Sequence, residues 1–296
     1  MSRILYYLLL KPLSYLPLGV LYYVSDFLYL IIYHLVGYRK KVVFENLRNA
    51  YPDKTAAEIQ ILGSNFYRHF CDIIVESVRF FSISRKEVIE RFKLVNPEIL
   101  DQFHQEGRNI MITAGHYNNW ELAVIAFDTQ SQYNGVTIYA PLANKFLDQK
   151  LKASRSQFGL RMISKKESRD FFQTEFPDGK NRELCAVIFA SDQSPSSSKK
   201  AHWTNFLKQD TAVAFGAEKY AKMTNSPVVF AHIDKLKRGY YQARFEVVEA
   251  DPLNAVPGSI TERHTRLLEE EINNAPKYWL WTHKRWKRKR SEIDQA

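Results

Sequence analysis

Apolar and polar positions follow two rhythms along this chain. Short, almost unbroken apolar runs occupy residues 110–114, 135–140, 184–190 and 227–233. Each is rich in Val, Ile, Leu or Phe, is bounded by Gly, Asn, Ser or Pro, and has the length of a buried strand. Residues 240–248 alternate instead, which predicts an antiparallel edge strand. Between these runs the apolar positions recur at helical spacing. Thr55-x-x-Glu58 reads as a capping box ahead of Ile59, Leu62, Phe66, Phe70, Ile73 and Ile74, which share one face of a long helix. Further helices are predicted over residues 41–50, from Pro97 to Gly107, from Asn144 to about Gly159, over 211–224, and from Ser259 or Thr261 to Asn274. Strands interleaved with helices predict an α/β fold with a mixed, mainly parallel sheet flanked by helices.

One segment departs from both rhythms. From Leu13 to Gly37 the ionisable residues, tyrosines aside, are Asp26 and His34. That length suits a bilayer core of roughly 30 Å at about 1.5 Å per residue. Tyr15, Tyr22, Tyr23, Tyr29 and Tyr33 suit headgroup depth, and no small-x-small cleavage site follows. Arg39, Lys40, Lys41 and Arg48 come next, a bias that keeps the bulk of the protein cytoplasmic. The pattern predicts an N-terminal membrane-anchoring helix within residues 1–40, ahead of one domain over 41–296. Asp26 is equally compatible with a helix lying in one leaflet, and a buried helix of a soluble bundle is the third reading.

Charge narrows the partners. Forty-two basic and 32 acidic side chains leave a net charge of +10, which favours an anionic partner: nucleic acid, anionic lipid or an acidic carrier protein. Cys71 and Cys185 form neither a metal spacing nor a disulfide framework, so a reducing compartment without a metal or cofactor is expected. Residues 276–290 mix Trp and Tyr with Lys and Arg. This suits nucleic acid or a membrane interface, and the apolar segment at the other end makes the membrane reading the more economical.

The candidate chemistry lies just after the first apolar run. Gly115 permits a sharp turn, His116 follows at the carboxyl end of the strand, and Trp120 starts a helix that carries Glu121 in its first turn. Ligands of open α/β sheets sit at such strand ends, and a His held by a carboxylate is a general base for a hydroxyl. Asn118-x-x-Glu121 also reads as a capping box, which accounts for Glu121 without chemistry. Asp192 and Gln193 end another strand, on the same expected rim. Arg155 and Arg161 flank a helix end, where either could hold an anion or remain solvated.

Several blocks agree, in order, with one family. Gly115-His-Tyr-Asn-Asn-Trp-Glu121, Ser191-Asp-Gln193, Ser226-Pro-Val-Val229 and Pro276-Lys-Tyr-Trp-Leu-Trp-Thr-His-Lys-Arg285 resemble the lipid A biosynthesis (lauroyl or myristoyl) acyltransferases, within the lysophospholipid acyltransferase-like group. Tyr38-Arg-Lys-Lys41 and Glu45-Asn-Leu-Arg-Asn-Ala-Tyr-Pro52 are similar too. The resemblance implies acyl transfer from an acyl thioester, on acyl carrier protein or coenzyme A, to a hydroxyl of a membrane glycolipid. It implies His116 as general base with Glu121 as its partner, and Arg155 as a contact to the oxyanion or a phosphate; Asn119, Asp192 and Gln193 are expected to bind substrate with Arg155. It further implies the cytoplasmic face of a bacterial inner membrane, an anionic membrane surface as partner, and no nucleic acid. Ala140, where the family has a basic residue, and Phe215, where it has a small one, depart from the pattern. A lysophospholipid or aminolipid acceptor, and a non-enzymatic basic membrane or nucleic-acid-binding protein, are the alternatives.

Overall fold

The computed structural model describes residues 2–176, 183–198 and 200–291. Seven strands form one sheet: β1 (Phe92–Leu94), β2 (Ile110–Ala114), β3 (Asn134–Tyr139), β4 (Arg161–Ser164), β5 (Cys185–Ala190), β8 (Val228–Lys237) and β9 (Tyr240–Glu249). Their order is β1-β9-β8-β2-β5-β3-β4, so β2 is the central strand. Every pairing is parallel except the β8–β9 hairpin. β2 and β5 are buried along nearly their whole length, which is why both read as uninterrupted apolar runs. Helices cover both faces, and the mixed, mainly parallel sheet flanked by helices is the expected fold class.

Three expectations need correction. β9 is not an edge strand, because the three-residue β1 pairs along its outer side. A run that short carries too little periodicity to be read from sequence. Residues 211–224 are not one helix either. Gln209–Ala214 form β7, paired with β6 (Ala201–Phe206), and the helix starts only at Gly216. The hairpin turns on Leu207 and Lys208, both with positive φ, at 49° and 60°. A two-residue loop in that conformation ordinarily announces itself with Asn or Gly. Here the Leu207 N–H is pinned instead by the Glu269 carboxylate at 2.6 Å.

The third correction concerns the C-terminal aromatic and basic stretch. Trp279 and Trp281 are 2% and 0% exposed, and Arg285 is buried as well. Residues 278–280 form a strap across the turn after β2: the Asn118 N–H donates to the Tyr278 carbonyl and the Leu280 N–H to the His116 carbonyl. The aromatics therefore belong to the core and not to a membrane interface, while Lys284, Lys287 and Lys289 stay on the surface.

The N-terminal apolar segment is a continuous helix over Leu18–Val36, long and apolar enough by length and composition to cross a membrane. Pro17 separates it from a shorter helical stretch over residues 2–14. It packs along the long helix Ala56–Arg79, whose start carries the expected Thr55–Glu58 capping box. Its inward side buries Leu18, Leu21, Tyr29 and Tyr33 and adds a polar network. The Ser25 hydroxyl donates to Asp72, Arg238 bridges Asp26 and Asp72, and the Tyr22 hydroxyl donates to Glu76. Its outward side exposes Tyr23, Phe27, Leu30 and Leu35.

Candidate active site

Register brings the site together. Ala114 at the end of β2 pairs with Ala190 at the end of β5, so the residues two positions further on, His116 and Asp192, leave the sheet side by side. Gly115 is required there for space and not for a left-handed turn. A Cβ on it would stand 2.4 Å from Leu268 Cδ1, on the helix Ser259–Asn274. The positive φ at this corner, 49°, falls on Asn118, whose amide donates to the Ile233 carbonyl. Helix Trp120–Gln130 then starts from Asn119, whose Oδ1 accepts the Leu122 N–H at 2.8 Å.

The carboxylate on the His116 ring is Asp192, not Glu121. Asp192 Oδ1 lies 2.6 Å from His116 Nδ1, and Oδ2 accepts the His116 backbone N–H and the Trp279 indole N–H, each at 2.8 Å. An ionised acceptor at Nδ1 fixes the tautomer with the proton on Nδ1 and the lone pair on Nε2. Nε2 meets the Gln193 side-chain nitrogen at 3.2 Å, and Trp120 packs edge-on to the ring.

Glu121 belongs to a second pair. Arg155 donates to both of its oxygens, Nε at 2.7 Å and Nη2 at 2.5 Å, a bidentate fork between two helices. Because the helix is capped by Asn119 and not by Asn118, Glu121 sits at the second helical position and is not the closing member of a capping box. Its side chain is free for Arg155, and Asp192 already occupies Nδ1. Asn119 is fully buried, and its amide spans the Leu122 N–H and the Glu76 carboxylate.

The electrostatics follow from this packing. Burial pushes the Asp192 carboxyl up, but the adjacent His116 charge, two hydrogen bonds from His116 and one from Trp279 outweigh it and hold it at about 2. Burial alone would depress His116. The Asp192 charge and hydrogen bond, with help from Glu121, reverse this and raise it above its ordinary value. A base must be deprotonated to act, so raising the pKa moves the working range upward. Activity is therefore expected to rise with pH through a limb above the ordinary histidine value of about 6.5. A rate–pH profile on saturating substrate checks this, and Asp192→Asn should move the limb to lower pH.

A cavity of about 400 Å³ opens at His116 and also reaches Gln193, Glu121 and Arg155. It runs along one sheet face beneath helix Trp120–Gln130, past Ile112, Ala231, Ala243, Phe245 and Leu94. Small side chains on β8 and β9 leave the room, and that arm carries no charge. A wider groove of about 1340 Å³ meets the cavity at Ile138, Tyr139, Ala140 and Ala190. Lys165, Lys166, Arg169, Lys200 and Lys219 line it over an aromatic floor of Phe189, Phe215 and Tyr220. Among the described residues no cluster of His, Cys, Asp or Glu has the makings of a metal site.

The whole chain compares with known proteins. The family described as bacterial lipid A biosynthesis acyltransferase matches residues 2–288. The lipid A biosynthesis lauroyltransferase of Escherichia coli (strain K12) is 22% identical over 288 residues, covering 93% of this chain and 91% of that protein.

Proposed function

Because this chain belongs to the bacterial lipid A biosynthesis acyltransferase family and is an acyltransferase, we propose direct acyl transfer with His116 as the general base. The observation that carries the reading is His116 with its Nδ1 held by Asp192, lining a cavity that it shares with a run of apolar side chains and with Arg155. His116 Nε2 takes the proton of an acceptor hydroxyl as its oxygen attacks the carbonyl carbon of an acyl thioester. The tetrahedral intermediate collapses with loss of the thiolate, which takes the proton back from the imidazolium. One C–O bond forms, one C–S bond breaks, and no Ser or Cys nucleophile takes part. Asp192 holds the ring in its working tautomer and stabilises the imidazolium. Arg155, oriented by Glu121 through Nε and Nη2, keeps Nη1 for the developing oxyanion or an acceptor phosphate. Gln193 contacts Nε2 until the hydroxyl displaces it.

The uncharged arm over Ala231 and Ala243 suits the acyl chain. The cationic groove suits the headgroup of a phosphorylated glycolipid, and it supplies at Lys165, Lys166 and Arg169 the positive charge that Ala140 lacks. The donor is an acyl thioester on acyl carrier protein or coenzyme A. Charge reversal at Lys165 and Lys166 (Lys→Glu at both) should raise acceptor KM by about tenfold or more. A hydrogen bond to a charged group contributes roughly 1.5–3 kcal/mol. Donor KM should stay within about twofold, and steady-state kinetics with each substrate varied checks both.

The protein sits, in this reading, at the cytoplasmic face of the inner membrane with its N-terminal helix in one leaflet. A bilayer-spanning helix would have to give up the Tyr22, Ser25 and Asp26 contacts to the domain, whereas the outward apolar side is already free to enter lipid. Mass spectrometry tests the activity: purified protein, acyl thioesters of several lengths, and either lipid A precursor or total membrane lipid. Acylated glycolipid supports the reading. Acylation of lysophospholipid or aminolipid alone replaces the acceptor, and no product with any pair overturns the enzyme's assignment.

A further inference from the structure

We propose that Glu76 is a positioning residue for the corner that carries His116 and Glu121, and that it ties the N-terminal apolar helix to that corner. The proposal rests on the acyl-transfer reading above. Glu76 projects from the long helix Ala56–Arg79 and is 2% exposed. Three donors from three separate elements converge on its carboxylate. The Tyr22 hydroxyl of the N-terminal helix donates to Oε1 at 2.9 Å. The Tyr241 hydroxyl of β9 and the Asn119 amide donate to Oε2 at 2.9 Å and 2.6 Å.

The Asn119 contact links this carboxylate to the site. By engaging Nδ2, Glu76 fixes which way the amide points, so that Oδ1 caps the helix at the Leu122 N–H. A flipped amide would present Nδ2 to that N–H and lose the cap. The capped turn aims Glu121 at Arg155, and the three residues before it carry His116 into contact with Asp192. Burying a carboxylate is costly unless its partners satisfy it, and an apolar side chain of similar size would fill the same space. A convergent acceptor is what the site needs. Tyr22 brings the N-terminal helix into this network one residue from exposed Tyr23, on a helix whose far side is apolar. The seating of that helix is thereby coupled to the geometry two hydrogen bonds away.

Reversal of the hydrogen bond tests the link. Glu76→Leu, which keeps the bulk and removes both acceptor oxygens, should lower kcat by about tenfold, since small misplacements of reacting groups are costly, with donor KM within about twofold. Asn119→Asp alone faces one buried carboxylate with another and should do worse. When Asn119→Asp is combined with Glu76→Gln, the new amide donates to the new carboxylate, whose second oxygen still caps Leu122, because Asp is as good an N-cap as Asn. Most of kcat should return. Tyr22→Phe should lower kcat a few-fold. Hydrogen exchange of the peptide over residues 115–123 should quicken in each single variant and recover in the double one.

Activity per folded molecule that stays at the wild-type level in Glu76→Leu, whatever the change in Tm, overturns the positioning role. A double variant no better than the singles overturns the hydrogen-bond link, and a silent Tyr22→Phe overturns the tie to the N-terminal helix. If the wild type transfers no acyl group, the functional reading fails on its own. The exchange pattern still decides whether Glu76 orders the corner.

Discussion

Asp192→Asn is expected to leave a folded protein whose kcat is lower by about 10³- to 10⁴-fold, the scale set by removing the carboxylate behind a catalytic imidazole. The reason is a count of donors and acceptors. The carboxylate receives three hydrogens, from the His116 backbone, the His116 ring and the Trp279 indole. An Asn side chain offers one oxygen. If that oxygen serves the backbone N–H and Trp279, its NH₂ group faces Nδ1 and forces the imidazole proton onto Nε2. The base then carries a proton where it needs a lone pair. The charge that raises the His116 pKa disappears too, so the residual activity should show its ascending limb at lower pH than wild type. Thermal melting establishes the fold, and the rate–pH profile reads the effect.

His116→Ala should cost at least as much, about 10³-fold or more, because the carboxylate lining the cavity, Glu121, is committed to Arg155 through both oxygens. Gln193, the side chain at His116 Nε2, is not a base at neutral pH. The loss should fall on kcat, with donor KM nearly unchanged, because the apolar arm that receives the chain is untouched. The buried Asp192 keeps the N–H of residue 116 and Trp279 but loses its ring partner. A stability loss on the order of 1–3 kcal/mol should accompany the variant, read as a lower denaturant midpoint. Recovery of rate by added imidazole would support a missing base over a distorted site.

These effects separate what the sequence announces from what it conceals. The strand–turn–helix corner at residues 110–130 is legible because each of its steps is local: an apolar run, a glycine, a polar cap and a helix. Asn144 likewise caps its helix as read, accepting the Leu147 N–H. The Asp192 role is not local. It depends on β2 and β5 being neighbours in register, across 76 residues of chain. Placing Asp192 on the same rim is as far as strand ends alone can lead. The spacing of His116 and Glu121 suggests contact, and the contact fails because Asp192 occupies His116 Nδ1 and Arg155 takes both Glu121 oxygens. Arg155 is visible as a cation near a helix end, but its fork onto Glu121 requires two helices to meet. Trp279 is the plainest omission. Its aromatic and basic surroundings resemble an interface in composition, while the alternation Trp279-Leu280-Trp281 is the signal of an extended strap with one side in the core.

The most direct measurement is acyl transfer from a thioester to glycolipid by purified protein across pH, with wild type beside Asp192→Asn and Glu121→Gln. The account predicts a collapse and a lowered limb for Asp192→Asn. For Glu121→Gln it predicts a smaller loss with the His116 limb shifted only slightly, because Glu121 acts through Arg155. If Glu121→Gln collapses and loses the limb while Asp192→Asn keeps near wild-type activity, the base is held by Glu121, and the His116–Asp192 account is wrong.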